Sequence, residues 1–189
     1  MEKTIVFLDY ANINRASEDV GRKMDWNNLL NYLSQGRFLI DAHAYVPIDP
    51  RNEHRMDRTI EDLWLAGYMV HSKVGVVRPD GYICDFDVEM AIDAMRVAQV
   101  VKPDIFVLAS GDGHCMAIVS ELRKMGIRVE VASLRHSTAT EMMLKSSGFI
   151  DLDDYISTLQ AQEEGHIQGD DFGDDAEVGN DDNRHENFV

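Results

Sequence analysis

Short apolar runs alternate with longer amphipathic segments along most of this 189-residue sequence. The apolar runs are rich in β-branched residues, as expected for strands buried on both faces of a sheet. We predict strands at residues 4–8, 37–46, 68–74, 105–109 and 128–132, with a short edge strand at 149–151. Apolar residues recur at helical spacing between them, and we predict helices at 26–35, 53–66, 86–101, 115–125, 137–146 and 152–159.

This alternation predicts an α/β fold with a parallel central sheet covered by helices on both faces. Right-handed crossovers between parallel strands then bring the carboxyl ends of the strands to the same edge of the sheet. The polar segment after Asn14 is predicted as a loop or a broken helix, and Pro47 is predicted to end the second strand. Turn residues at Pro79-Asp80-Gly81 predict a small hairpin or flap within residues 75–84.

Composition adds an acidic tail to this picture. The hydrophobic share of 44% suits a globular domain. The whole chain has a net charge of -16, and residues 160–189 contain ten acids and one base. We therefore predict a domain at 1–159 and a disordered or loosely attached tail at 160–189 that is dispensable for folding. The sequence lacks a long apolar run and a signal-like start, so we expect a cytoplasmic protein without a membrane span. Cys84 and Cys115 are expected to be reduced thiols.

Acidic residues lie at strand ends and at a helix start near the carboxyl edge of the predicted sheet. Asp9 ends the first strand, and Asp112 follows the strand at 105–109 and lies between two glycines. Asp87 lies at the start of the predicted helix at 86–101. Because carboxylates brought together repel unless a cation lies among them, the pattern predicts a Mg²⁺ or Mn²⁺ site. Asn12 would add a neutral oxygen beside Asp9. Asp93 can join only if Asp87 lies at or before the helix start.

Simpler interpretations of these residues remain open. Asp87 can be a helix cap, Asp93 can be a solvated acid or the partner of Arg96, and His114 can cap the following helix.

Basic residues surround the acids in the predicted arrangement. Those expected near the carboxyl edge are Arg15, Arg51, Arg55, Arg58, Lys73, Arg78 and Arg135. A basic collar around an acidic pocket would suit the backbone of a nucleic acid, although these side chains can also be ordinary solvated residues. Tyr10 and Tyr82 could stack on bases or serve only in packing.

Three motifs resemble those of the NYN domains, in particular the LabA-like branch of the PIN-like nuclease superfamily. They are Phe7-Leu8-Asp9-Tyr10-Ala11-Asn12, then Lys73…Asp87-Val88…Asp93, then Ala109-Ser110-Gly111-Asp112-Gly113, and the resemblance covers residues 3–158. It implies a three-layer Rossmann-like (PIN-like) fold and a metal-dependent ribonuclease site. The implied metal cluster is Asp9, Asn12, Asp87 and Asp112, with Asp93 as a further member.

One position departs from the family pattern, because His114 stands where the family commonly has another aspartate. Loss of a hard carboxylate weakens a Mg²⁺ site, and imidazole favours Mn²⁺ or other transition metals. His114 therefore joins the predicted metal ligands and bears on both metal identity and activity.

The resulting functional prediction is a metal-dependent RNA endonuclease in which a water is activated by an ion at Asp9, Asp87 and Asp112. Predicted substrate contacts are Asn12, Arg15, Arg55, Lys73, Ser110 and Arg135. The alternative is a non-catalytic regulatory or protein-interaction domain that keeps the fold. The sequence leaves any protein partner open, and exposed methionine and aromatic residues could form a homo-oligomer face.

Overall fold

The structure is a computed structural model that describes residues 1–167, with side chains to residue 159. Residues Met1–Ile156 form one compact unit, and the described residues from Ser157 to Ile167 do not belong to it. The strands are β1 (Lys3–Asp9), β2 (Phe38–Ile48), β3 (Met69–Val74), β4 (Val76–Arg78), β5 (Gly81–Ile83), β6 (Ile105–Ala109), β7 (Arg128–Ser133) and β8 (Gly148–Asp151). The helices are α1 (Tyr10–Asp19), α2 (Trp26–Leu33), α3 (Asp57–Leu65), α4 (Asp87–Val101), α5 (Met116–Lys124), α6 (Thr140–Lys145) and α7 (Leu152–Ile167).

Six strands form the central sheet in the order β3-β2-β1-β6-β7-β8. Every neighbouring pair in it is parallel, which confirms the predicted parallel sheet. The chain builds outward from β1 to β3, then returns to β6 on the other side of β1. This reversal places a switch point between β1 and β6, where ligands bind in open α/β sheets. The predicted hairpin is also present, because β4 and β5 pair antiparallel outside the sheet.

The two faces of the sheet are covered by different helices. Ile5 and Phe7 belong to a buried cluster with residues of α4, α5 and α6, whereas the alternating Val6 and Leu8 are fully buried but lie outside that cluster. Because successive strand residues point to opposite faces, this split indicates cores on both sides of β1. Buried residues of α1, α2 and α3 belong to the second core. The predicted three-layer α/β architecture is therefore confirmed.

The segment after Asn14 is helical as far as Asp19, so the loop or broken helix predicted to follow Asn14 was wrong for these residues. The carboxylate of Asp9 caps α1, and a narrow stripe of Ile13, Ala16 and Ser17 is buried. Ser17 satisfies its buried hydroxyl by donating to the carbonyl of Asn14. A polar residue within the buried stripe hid the helical pattern in the sequence.

The second strand continues through Pro47, contrary to prediction. The pairing between β1 and β2 ends at Asp9 and Tyr45, whereas β2 stays paired with β3 as far as Ile48. At Pro47 the strand therefore has a neighbour on one side only, where a missing N–H is tolerated.

Several predicted helix ends also shift. Asp87 is the first residue of α4 and not its cap, because Phe86 holds the cap position. A short 3-10 turn at Glu53–Met56 precedes α3, whereas one helix was predicted over residues 53–66. The last helix continues to Ile167, beyond the expected end at residue 159. The remainder of the predicted tail, 168–189, lies outside the described residues, so the domain boundary stays a prediction. Among the described helices, none has both the length and the apolar character needed to cross a membrane.

Candidate metal and nucleic-acid site

A cavity of about 160 Å³ opens beside the switch point between β1 and β6. Its lining includes Asp9 at the end of β1, Asp87 at the start of α4 and Asp112 in the loop after β6. The structure thus brings together the three carboxylates predicted as the catalytic set. Asp85, two residues before α4, also lines the cavity, although it was not among the predicted site residues.

Asp9 is the most firmly held of these carboxylates. One oxygen, Oδ1, accepts from the backbone N–H of Asn12 at 3.2 Å, and the other, Oδ2, accepts from the Ser110 hydroxyl at 3.0 Å. Burial raises the pKa of Asp9 above its ordinary value; the two hydrogen bonds oppose this shift, while the carboxylates of Asp112 and Asp87 add to it. The site therefore stores electrostatic repulsion that a bound cation would relieve.

Asn12 links the first helix to the loop after β6. Its Oδ1 accepts from the backbone N–H of Gly111 at 2.8 Å, so the amide oxygen holds this loop in place. A Cβ at Gly111 would lie 2.6 Å from the carbonyl oxygen of Ser137. Only glycine permits this close approach, which brings Asp112 next to Asp9.

Asp87 and Asp112 are more open to solvent, with 47% and 41% of their side chains exposed. Nδ1 of His114 lies 3.4 Å from Oδ1 of Asp112 and 3.7 Å from Oδ2 of Asp87, so the imidazole sits between the two acids. Burial and the Asp112 charge raise the pKa of Asp87, and His114 opposes that rise. Asp112 also accepts from the backbone N–H of His114 at 2.9 Å, which fixes the turn.

The donor chemistry of this cavity fits a hard divalent cation. Carboxylate oxygens from three elements converge there, and the pKa values of Asp9 and Asp87 are raised mainly by burial, with mutual repulsion adding to the shift. Over the part of the chain that the structure describes, however, no three acidic, histidine or cysteine side chains stand close enough to hold an ion together. Mg²⁺ normally keeps several waters and uses only one or two carboxylates directly. The residues therefore fit an ion held partly through water.

Exchange of His114 for aspartate tests whether this position contributes to metal choice. Wild-type protein is expected to bind Mn²⁺ more tightly than Mg²⁺, and His114→Asp should tighten Mg²⁺ binding by roughly tenfold, because a hard oxygen replaces imidazole. Calorimetric titration of both ions measures this. His54→Asp is the matched control, since His54 is 92% exposed and does not line the cavity. Equal Mg²⁺ affinities of wild type and His114→Asp would show that His114 is not a metal ligand.

Asp93 lies away from the acidic cavity. Its Oδ2 accepts from the Tyr45 hydroxyl at 3.1 Å and its Oδ1 from Arg96 at 3.1 Å, and His71 lies 4.0 Å away. Because Asp87 is already inside α4, the six-residue spacing turns Asp93 toward this second polar group. Asp93 therefore does not line the acidic cavity with Asp9, Asp87 and Asp112.

The predicted substrate contacts differ in whether they line a cavity. Lys73 forms an ion pair with Glu89 at 2.6 Å, Arg135 pairs with Asp151 at 2.6 Å, and neither residue lines the acidic cavity. Ser110 is fully buried and donates to Asp9, so it positions the carboxylate. Arg15 lines the acidic cavity, and Arg55 lies in an adjoining one that Arg15 also lines.

These features define an α/β protein with a parallel sheet and an acidic cavity at its switch point. The family model of the NYN domain matches residues 3–153, and the chain therefore belongs to the NYN domain family. This membership implies a PIN-like nuclease fold, and nucleases of this kind usually use divalent metal ions. The match identifies the family and not the LabA-like branch, which stays a prediction.

A solved structure supports the same architecture. The crystal structure of a protein of unknown function from Vibrio parahaemolyticus is similar, with a TM-score of 0.68 and 25% sequence identity. The similarity covers 81% of this chain and 94% of that one. No curated protein matches the sequence significantly.

Proposed function

We propose that this protein is a metal-dependent endoribonuclease. The observation that carries the proposal is the convergence of Asp9, Asp87 and Asp112, from three separate elements, on one cavity at the switch point. Membership of the NYN family supports RNA as the substrate class. A bound Mg²⁺ or Mn²⁺ would supply Lewis acidity that activates water and neutralises charge on a phosphodiester.

The side chains of the cavity divide this work. Asp9, held by two hydrogen bonds, is the fixed anchor for the ion, and Asp87 and Asp112 complete the acidic wall from the solvent side. Asp87 is partly open to solvent, so its carboxylate could accept a proton from a water at the ion. Arg15, on the same wall, is placed to neutralise a phosphate oxygen.

RNA cleavage by wild type and Asp112→Asn tests the proposal. With Mn²⁺ or Mg²⁺ present, wild type should cleave a labelled RNA and the variant should be slower by about a hundredfold or more, because a carboxylate at the ion is lost. Asp62→Asn is the matched control, since Asp62 is exposed and lies outside the acidic cavity. Equal cleavage rates in wild type and Asp112→Asn would contradict the assignment.

A specific observation favours a second candidate, a non-catalytic regulatory NYN domain. The described acids do not stand close enough for three of them to hold an ion directly, and His114 occupies a position where a carboxylate is expected. A domain of this kind would bind RNA or a protein partner without turnover. Absence of cleavage by wild type in both metals, together with retained RNA binding, would favour it.

A further inference from the structure

A second cavity, of about 470 Å³, adjoins the acidic one. The two share Ala11, Arg15 and Pro47, so a ligand chain can pass from one into the other along this common wall. The volume lies within the range of clefts that hold small ligands, about 300–1,000 Å³. Tyr82 from β5 and Arg55 from the turn before α3 form further parts of its lining.

The basic side chains of this second cavity are available for a ligand. Neither Arg15 nor Arg55 forms an ion pair with any described residue, whereas Lys73, Arg51 and Arg135 are each paired with an acid. Two cationic groups that form no ion pair with a described residue, on one cavity, suit the oxygens of a phosphate.

Two acids also line this cavity, but both are engaged. Asp49 is bound by the guanidinium of Arg51 at 2.6 Å, and Glu18 accepts from the side-chain amide of Asn14 at 2.9 Å. Neither carboxylate forms an ion pair with Arg15 or Arg55, and the lowered pKa of Asp49 is due mainly to Arg51, with a smaller contribution from Arg55.

Tyr82 supplies an aromatic surface beside these cations. The residue is half-buried, and the hairpin of β4 and β5 carries it to the cavity. The guanidinium carbon of Arg51 lies 5.9 Å from the centre of its ring and supports it. Tyr10 differs, because its ring packs on Trp26 at 5.1 Å between centroids. Tyr82 is thus the aromatic ring best placed to stack on a ligand.

We propose that this cavity binds one unpaired nucleotide of single-stranded RNA, with the base on Tyr82 and a neighbouring phosphate on Arg15 and Arg55. The inference rests on the proposed ribonuclease function and adds that the RNA is bound as a single strand. In a duplex the faces of the bases are stacked on each other, so an aromatic side chain can reach only an unpaired base. The shared wall at Arg15 leads the same strand into the acidic cavity.

Binding of a short fluorescein-labelled single-stranded RNA, measured by anisotropy in EDTA, tests this inference without metal or cleavage. Tyr82→Ala should weaken binding roughly 5- to 100-fold, the effect expected for loss of base stacking, while Tyr82→Phe should bind like wild type. The same RNA annealed into a duplex should bind more weakly than the single strand.

Arg55→Ala gives a second test, in which RNA binding is measured as a function of salt concentration. Loss of one phosphate contact should lower the slope of log affinity against log salt by about 0.7 for a single strand. Arg58→Ala is the matched control, because Arg58 is an exposed arginine three positions away that does not line the cavity. A melting curve shows whether Tyr82→Ala unfolds the protein. Because Arg55 is exposed, Arg55→Ala is expected to fold normally and still tests the inference in that case.

The outcomes separate this inference from the proposed function. Weakened binding by Tyr82→Ala and Arg55→Ala in EDTA, with Arg58→Ala binding like wild type, supports the nucleotide site whether or not wild type cleaves RNA. Metal-dependent cleavage combined with Tyr82→Ala and Arg55→Ala binding like Arg58→Ala overturns the inference and leaves the nuclease function intact. Failure of wild type to bind single-stranded RNA, or equal binding of duplex, also overturns the inference.

Discussion

Asp9→Asn is expected to abolish metal-induced stabilisation and to slow RNA cleavage by about a hundredfold or more, while the metal-free fold is retained. Asparagine caps a helix as well as aspartate does, so the bond to the N–H of Asn12 can persist. The Ser110 hydroxyl can rotate to accept from the new amide. The change therefore removes a negative charge from the ion site, while the side chain keeps Asn12 and Ser110 as hydrogen-bond partners.

The pH dependence of metal-free stability gives a second readout for the same variant. Burial raises the pKa of Asp9 in the folded state, so the folded protein holds this proton more tightly than the unfolded chain does. The resulting stabilisation is complete below the ordinary pKa of about 4 and is lost as pH rises through the raised value. Asp9→Asn carries no such proton, so its stability relative to wild type should increase across that interval.

Melting curves with and without Mn²⁺ measure both effects, since a ligand of the native state raises the midpoint by mass action. Asp9→Ala is the informative comparison, because it also removes the helix cap and should cost about 1–2 kcal/mol in metal-free protein. A destabilised Asp9→Asn variant with an undiminished Mn²⁺ shift would mean that Asp9 is only a hydrogen-bond acceptor at the end of β1.

The second large effect is expected far from the cavity, at Glu130 in β7. This carboxylate is 3% exposed and forms ion pairs with Arg37 at 2.7 Å and Arg128 at 2.9 Å. Glu130→Ala should lower the free energy of unfolding by about 2–4 kcal/mol, because it leaves the mostly buried Arg37 without its partner. We place the value toward the lower end of the usual range because Arg37 retains 21% exposure.

Urea unfolding of Glu130→Ala measures this loss. Glu121→Ala is the matched control, since Glu121 also pairs with a base, Lys124, but both side chains are more than half exposed. Exposed pairs contribute about 0–1 kcal/mol, so the control should stay close to wild type. Equal unfolding free energies for the two variants would show that the buried ion pairs of β7 do not stabilise the fold.

The elements that the sequence predicted best are those with one dominant signal. The strand at Ile105–Ala109 has the predicted bounds, because five buried apolar residues are followed by Ser110-Gly111. The helix α2 begins at Trp26 as predicted, and Asp25 caps it. The helix after Asp9 was missed because its buried face is narrow and includes the hydroxyl of Ser17, which hydropathy alone counts as exposed.

For the candidate site, the sequence indicated the edge of the sheet but not the partners of each charge. Asp9, Asp87 and Asp112 could be grouped because each adjoins a strand end or a helix start. The position of Asp93 outside the acidic cavity could not be predicted until the first residue of α4 was known. Lys73 and Arg135 lie near the predicted edge, yet their pairing with Glu89 and Asp151 depends on side-chain positions that spacing does not encode.

Titration of Mn²⁺ into metal-free protein, followed by the electron paramagnetic resonance signal of the free ion, tests the central claim most directly. Wild type should remove one equivalent of Mn²⁺ per chain from solution. Asp9→Asn, Asp87→Asn and Asp112→Asn should each lose most of this binding, and Asp93→Asn, whose carboxylate is engaged with Tyr45 and Arg96, should retain it. Full binding by the first three variants, or loss confined to Asp93→Asn, would contradict a metal site at this cavity.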